Sequence, residues 1–287
     1  MMTMKTPLLL ALLCVLLTGC GQDQYFLERQ YYRVQEQARD ILKNPEATPP
    51  AELARAVAAL EVFLTKYPKT NVAVDAQFTI ARLYVVTKEY DQAHDQLKRI
   101  QKVFKDSDVI MAEAAFTNGA VYEEEKKWDL AVEQYQQVTK YYALTPRGIQ
   151  TPFFIAMRYK DKLQPDKMII ALRDAIDHYK SLVVKFQGSP LSLKCKMMIV
   201  QCYLELKEPE NAIGVLQASI EEFKGKIPVE GMMLDIAGIY YGQMKDTAKA
   251  IEVLNKVVTD FPKSEASKVA QSMIDKIKAT KDKEAKK

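Results

Sequence analysis

The sequence predicts an all-α protein, a superhelical stack of about six helix pairs closed by a C-terminal capping helix. Three observations predict it. An aromatic closes successive apolar-periodic segments at Tyr67, Phe104, Tyr141, Phe186, Phe223 and Phe261, with spacings of 37, 37, 45, 37 and 38. A second series, Tyr84, Tyr122, Tyr159, Tyr203 and Tyr240, keeps step at 38, 37, 44 and 37. Strand signals are missing. Two markers sharing one period, and one longer interval in the same place, mark a repeat that buries its core only by stacking on its neighbours.

The N-terminus stands outside this array. Lys5 precedes the uncharged apolar run from Pro7 to Leu17, too short for the roughly 20 residues of a spanning helix and suited to an export signal. The run ends in Leu17-Thr18-Gly19-Cys20, which resembles the lipobox of bacterial lipoprotein signals. The resemblance implies that residues 1–19 are removed and that Cys20 carries the lipid. Two or three acyl chains, at about 0.8 kcal/mol per buried CH₂, would anchor the chain without a spanning helix. Gly21 stands where inner-membrane retention signals of the enteric type carry Asp, which implies the periplasmic face of the outer membrane.

Residues 20–50 form a lipidated segment and a first helix. Leu27, Tyr31, Val34, Ala38 and Ile41 recur at 4, 3, 4 and 3, an amphipathic spacing. Asn44-Pro45-Glu46-Ala47-Thr48-Pro49-Pro50 breaks it, and Glu52–Lys66 supplies a partner. The repeat array covers 51–264.

Three residues before each repeat tyrosine stand Ala81, Gly119, Ala156, Val200 and Ala237; four before stand Ile80, Asn118, Ile155, Ile199 and Ile236. Nine or ten residues after it comes Ala93, Ala131, Ala212 or Ala250, with Met168 in the fourth repeat. This order of large, small, tyrosine and alanine resembles the tetratricopeptide repeat, which implies a right-handed superhelix. Pro68 and Pro262 stop the preceding helices, and Thr70, Ser107, Ser189 and Ser264 are placed to cap the next ones. In the fourth repeat Met168, Ile169, Leu172, Ala175, Ile176, Tyr179, Leu182, Val183 and Phe186 form one stripe, so its seven extra residues lengthen a helix by two turns. Residues 265–287 form the capping helix and a basic tail.

Composition excludes several functions. The net charge of +4 lies in the tail Lys276–Lys287, where six lysines face Asp282 and Glu284. The neutral body argues against a nucleic-acid partner. Cys195 and Cys202, seven residues apart on one helix, are separated by about 10.5 Å of rise, too far for a disulfide. His94 and His178 fall on different repeats and read as packed or surface residues. The run Glu123-Glu124-Glu125-Lys126-Lys127 reads as a solvated turn. No phosphate loop, GxSxG, HExxH or CxxC occurs. The expectation is a protein with no catalytic residue, no metal and no cofactor.

Stacked helix pairs offer a long concave wall lined by the first helix of each pair. Counted from the repeat tyrosines, Phe78, Arg82, Glu113, Phe116, Met197 and Gln201 are the candidates to face it, a mixed lining suited to an extended peptide or a partner's loop.

A lipobox followed by long-period repeats ending in Tyr-Pro or Phe-Pro resembles the BamD-like (YfiO-like) outer-membrane lipoproteins over nearly all of residues 20–280. That resemblance implies a scaffold of the machinery that inserts β-barrels. The repeats also resemble those of the Tol-Pal-associated CpoB (YbgF) proteins. A pilot lipoprotein for a secretin or type IV pilus combines the same two features, and a periplasmic binder of peptide or glycan is the reading from a different class.

Overall fold

The computed structural model describes the backbone of residues 7–284 and the side chains of residues 24–280. Among them are thirteen α-helices. In order they are α1 (Pro7–Lys43), α2 (Pro50–Lys66), α3 (Asn71–Val86), α4 (Tyr90–Val103), α5 (Asp108–Glu124), α6 (Trp128–Tyr141), α7 (Pro146–Asp161), α8 (Pro165–Lys185), α9 (Pro190–Glu205), α10 (Pro209–Phe223), α11 (Glu230–Gly242), α12 (Thr247–Asp260) and α13 (Glu265–Glu284). They form six sequential antiparallel pairs and a cap, in tetratricopeptide-like construction. The backbone of the predicted signal segment from Pro7 onward is the first part of α1, whereas its side chains and that of Cys20 lie outside the described residues.

The chain divides into two compact units, Met1–Gly148 and Ile149–Lys287. Within each, successive helices share local cores. In the first unit, α1, α2 and α3 bury Ala38, Ile41, Ala56, Leu60 and Ile80; α3, α4 and α5 bury Ala81, Ala93, Leu97, Ile100 and Val121. In the second, α7, α8 and α9 enclose Leu172, Tyr179, Cys195 and Cys202, followed by clusters along α9–α11 and α11–α13. Each fully buried Leu or Ile contributes about 1.5–3 kcal/mol by leaving water.

The small positions explain how the helices approach. Ala81, Ala156 and Ala237 are fully buried, as are Ala93, Ala131, Ala212 and Ala250. At Gly119 a Cβ would stand 2.5 Å from the Tyr135 ring, so that tyrosine occupies the volume an alanine would need. In the fourth pair the packing alanine is Ala175, not Met168, which is only half-buried. The seven inserted residues precede Ala175, and α8 accordingly has 21 residues where α4 and α6 have 14. Ile169 is exposed and leaves the predicted stripe.

Tyr141 is likewise not the closing aromatic of its repeat. It is 63% exposed, and Tyr142 follows as the C-cap, half-buried against Ala112, Ala115 and Val138. The reason is helical phase: Tyr142 lies eleven residues after buried Ala131, three turns later, and returns to the same side. The residue three after four of these aromatics caps the next helix with its side chain. Thr70, Ser189 and Ser264 accept backbone N–H groups of Ala73, Ser192 and Ser267 at 3.1 Å. Ser107 makes no such bond, whereas Thr145, absent from the predicted set, accepts from Gly148 at 3.0 Å.

Every turn inside a pair from the second to the sixth uses one device that sequence inspection missed. Lys88, Lys126, Leu163, Lys207 and Lys245 have φ between 55° and 64°. The next residue returns its N–H to the carbonyl of the repeat tyrosine: Glu89 to Tyr84, Lys127 to Tyr122, Gln164 to Tyr159, Glu208 to Tyr203 and Asp246 to Tyr240, at 2.8–3.0 Å. This is the left-handed helix cap that usually takes glycine. The repeat tyrosine, half-buried at all five positions, thus anchors the turn with its carbonyl.

Candidate partner-binding groove

Side chains of α3 and α5 border a groove of about 450 Å³ in the first unit. On α3, Asn71, Val74, Asp75, Phe78 and Arg82 recur at three- and four-residue intervals and share a face. On α5, Val109, Ile110, Glu113 and Thr117 do the same. Three of the six predicted wall residues, Phe78, Arg82 and Glu113, come together here.

The ionic groups of this groove are mutually paired. Arg82 approaches Asp75 at 3.5 Å and donates to Thr79 at 2.8 Å. Asp75 also accepts from the Tyr31 hydroxyl and, at 3.3 Å, from Gln35, which ties α3 to α1. Burial of Tyr31, followed by its bond to Asp75, raises the phenol well above its usual range, so it stays a donor. On the other side Arg147 grips Glu113 in a two-pronged contact, Nε to Oε2 at 2.8 Å and Nη2 to Oε1 at 2.7 Å. Its guanidinium also lies 4.1 Å above the Phe116 ring. Between the pairs stand Val74, Phe78, Ile110 and Val109, the last 58% exposed. The groove therefore combines apolar surface with oriented, internally compensated charges.

The other predicted residues are placed differently. Phe116 is half-buried, 4.9 Å from Tyr135 in a tilted ring contact, and supports Arg147 from beneath. Met197 and Gln201 belong to the second unit. Met197 is half-buried and packs on the cluster of Val200, Ala212 and Leu216, while Gln201 is exposed. Asp75 and Arg147 were not anticipated. Asp75 and Glu113 both stand nine residues before a repeat tyrosine, a recurrence that would have flagged the acid; Arg147 has no such counterpart.

A second polar cluster corrects the reading of residues 123–127 as a solvated turn. The Glu125 side chain is 6% exposed. It meets His94 Nε2 at 2.6 Å and pairs with Lys127. The other ring nitrogen of His94 lies 2.5 Å from Asn118, whose amide donates to Gln134 at 3.1 Å. The ring stacks at 4.2 Å on Tyr122. The left-handed turn at Lys126 directs Glu125 inward, so His94 is packed within a network joining α4, α5 and α6. In the second unit, burial lowers the pKa of His178. Among the described residues, no group of three or more His, Cys, Asp or Glu could hold a metal ion, and no helix is long and apolar enough to cross a membrane.

Residues 232–264, covering nearly all of α11, all of α12 and the turn beyond, match the tetratricopeptide repeat family. No curated protein matches the sequence. Among solved structures, the chain is similar to a tetratricopeptide repeat protein from Parabacteroides merdae at 12% identity and TM-score 0.40, covering 88% of this chain and 87% of that one. It is also similar to PilW, a type IV pilus biogenesis factor, at 13% identity and TM-score 0.40, covering 84% and 98%. Against yeast Tom70 the identity is 14% and the TM-score 0.47, covering 86% of this chain and 47% of that one. The chain is thus built of tetratricopeptide-like helix pairs, with residues 232–264 matched by the repeat's family model.

Proposed function

We propose that this protein is a lipid-anchored envelope scaffold on the periplasmic face of the outer membrane, where it holds partner proteins of barrel assembly. The groove between α3 and α5 carries the binding part of this reading: exposed Val109 and half-buried Val74, Phe78 and Ile110 stand between two charge pairs. An extended segment laid there meets Phe78, Ile110 and Val109 with its side chains, while the fixed ionic groups orient its polar backbone. The anchor rests on the lipobox-like Leu17-Thr18-Gly19-Cys20, and the pathway on the resemblance of this order, lipobox then repeats ending in Tyr-Pro or Phe-Pro, to the BamD-like lipoproteins.

Photo-crosslinking from position 78 or 109 in intact cells tests the pathway. Capture of a barrel-assembly protein, reduced by Arg82→Ala, is the expected result. Capture of a secretin or of Tol-Pal components instead overturns it. The anchor has a separate test: Cys20→Ala should abolish labelling by radioactive palmitate, and undiminished labelling refutes lipidation at this residue.

A further inference from the structure

The exposed face of α1 is as patterned as its buried face. Leu27, Tyr31, Val34, Ala38 and Ile41 turn toward α2 and α3. On the opposite arc, Tyr25, Phe26 and Tyr32 are 67%, 56% and 51% exposed. With 100° per residue, Arg29 and Arg33 fall among them. Within residues 25–33 this arc holds three aromatics and two arginines, with exposed Glu28 at its edge one turn from Tyr25 and Tyr32; Glu36 and Asp40 come next along it. Arg39 lies 5.3 Å above the Tyr32 ring.

We infer that this face, from Tyr25 to Arg33, is a seat on the bilayer, lying flat in the headgroup layer and orienting the first unit on the membrane. The inference rests on the anchor reading above. Cys20 is five residues from Tyr25 on the same continuous helix, a rise of about 7.5 Å. A headgroup layer is about 5–7 Å thick, so an α1 standing upright would carry Tyr32, a rise of about 18 Å from Cys20, clear of it. Lying in the plane, the same helix places all five side chains at the interface. The chemistry fits that depth. Tyrosine and phenylalanine sit at the boundary of headgroup and acyl chain. Arginine stems cover apolar surface while their guanidinium groups meet lipid phosphates. Glu36 and Asp40 mark where this fit ends. Because Leu27, Tyr31 and Val34 point the other way, α2 and α3 lie on the side of α1 away from the lipid.

The test uses full-length protein purified from membranes and reconstituted into vesicles of phosphatidylethanolamine and phosphatidylglycerol with brominated acyl chains, which quench nearby tryptophan. The wild type contains one tryptophan, Trp128. Tyr32→Trp adds one at the seat, and Tyr141→Trp adds one at an exposed position on α6. Tyr32→Trp should lose about half of its emission on vesicles, with a blue shift, while the wild type and Tyr141→Trp stay nearly unquenched. Arg29→Gln with Arg33→Gln in the Tyr32→Trp chain should reduce that loss. Equal quenching of Tyr32→Trp and Tyr141→Trp in protein that floats with the vesicles overturns the seat and leaves the anchor standing. Failure to float overturns the seat as well, and the mass of the N-terminal peptide then shows whether the acyl anchor is missing with it.

Discussion

The hydroxyl of Tyr179 is inserted into the backbone ladder of α7: it donates to the Ile149 carbonyl at 2.7 Å and accepts from the Phe153 N–H at 3.3 Å. In an unbroken helix those two backbone groups would bond each other. Pro152 lies inside α7, and a proline there opens the turn before it. The side chain of α8 fills the opening and satisfies both groups.

Tyr179→Phe keeps the ring and removes the bridge, stranding a buried carbonyl and N–H. It should lower unfolding stability by about 1–3 kcal/mol, read from urea denaturation with an unchanged slope. A change below about 0.5 kcal/mol would mean that α7 closes its own ladder without help.

Lys207 occupies the left-handed region at φ 59° and is exposed. Lys207→Gly should therefore stabilise by about 0.5–1 kcal/mol, and Lys207→Val should destabilise by more. Thermal midpoints of the two variants on either side of wild type are the expected result. If both fall below it, the lysine contributes something beyond its backbone conformation.

Glu125 links stability to acid. Burial alone would raise its pKa above the ordinary 4.5, but bonds from Lys127 and His94 outweigh burial and hold it lower. A carboxylate depressed in the folded state contributes stability that is complete above 4.5 and is lost as pH falls through the folded value. Urea midpoints of the wild type should therefore fall more steeply than those of Glu125→Gln between about pH 5 and pH 3. Parallel curves would show that the pair does not couple to folding.

The two thiols of α9 should be chemically silent. Both are buried and unpaired with each other, and burial pushes Cys202 up to about 12 and raises Cys195 as well. Neither should react with Ellman's reagent at pH 8 until the protein is unfolded in urea. Prompt native-state reaction at either position, shown by peptide mass, would mean that α9 opens locally.

The repeat was legible because stacking imposes period. Ala81, Ala156 and Ala237 had to be small wherever helices touch, and the sequence shows them in step. The lengthened α8 was also legible, since seven residues preserve helical phase. Phase alone did not separate Tyr141 from Tyr142, because adjacent tyrosines both fit an approximate spacing; only the eleven residues from Ala131 decide it. The turn lysines escaped notice because a left-handed residue is expected to be glycine, and Lys88, Lys126 and Lys207 look like solvated surface.

The groove was half visible. Phe78, Arg82 and Glu113 follow from counting along first helices; Met197 occupies the position equivalent to Phe78 and, like it, is half-buried against a core cluster, but in the other unit. Composition, periodicity and turn chemistry, all local properties of the chain, determined by themselves that this protein is built of repeated helix pairs. Tertiary structure alone decided that Arg147 grips Glu113, that Glu125 turns inward to His94, and that Tyr179 mends α7. Those contacts join residues 26–34 positions apart, and their geometry depends on how neighbouring helices are set against each other, which no single periodic pattern encodes.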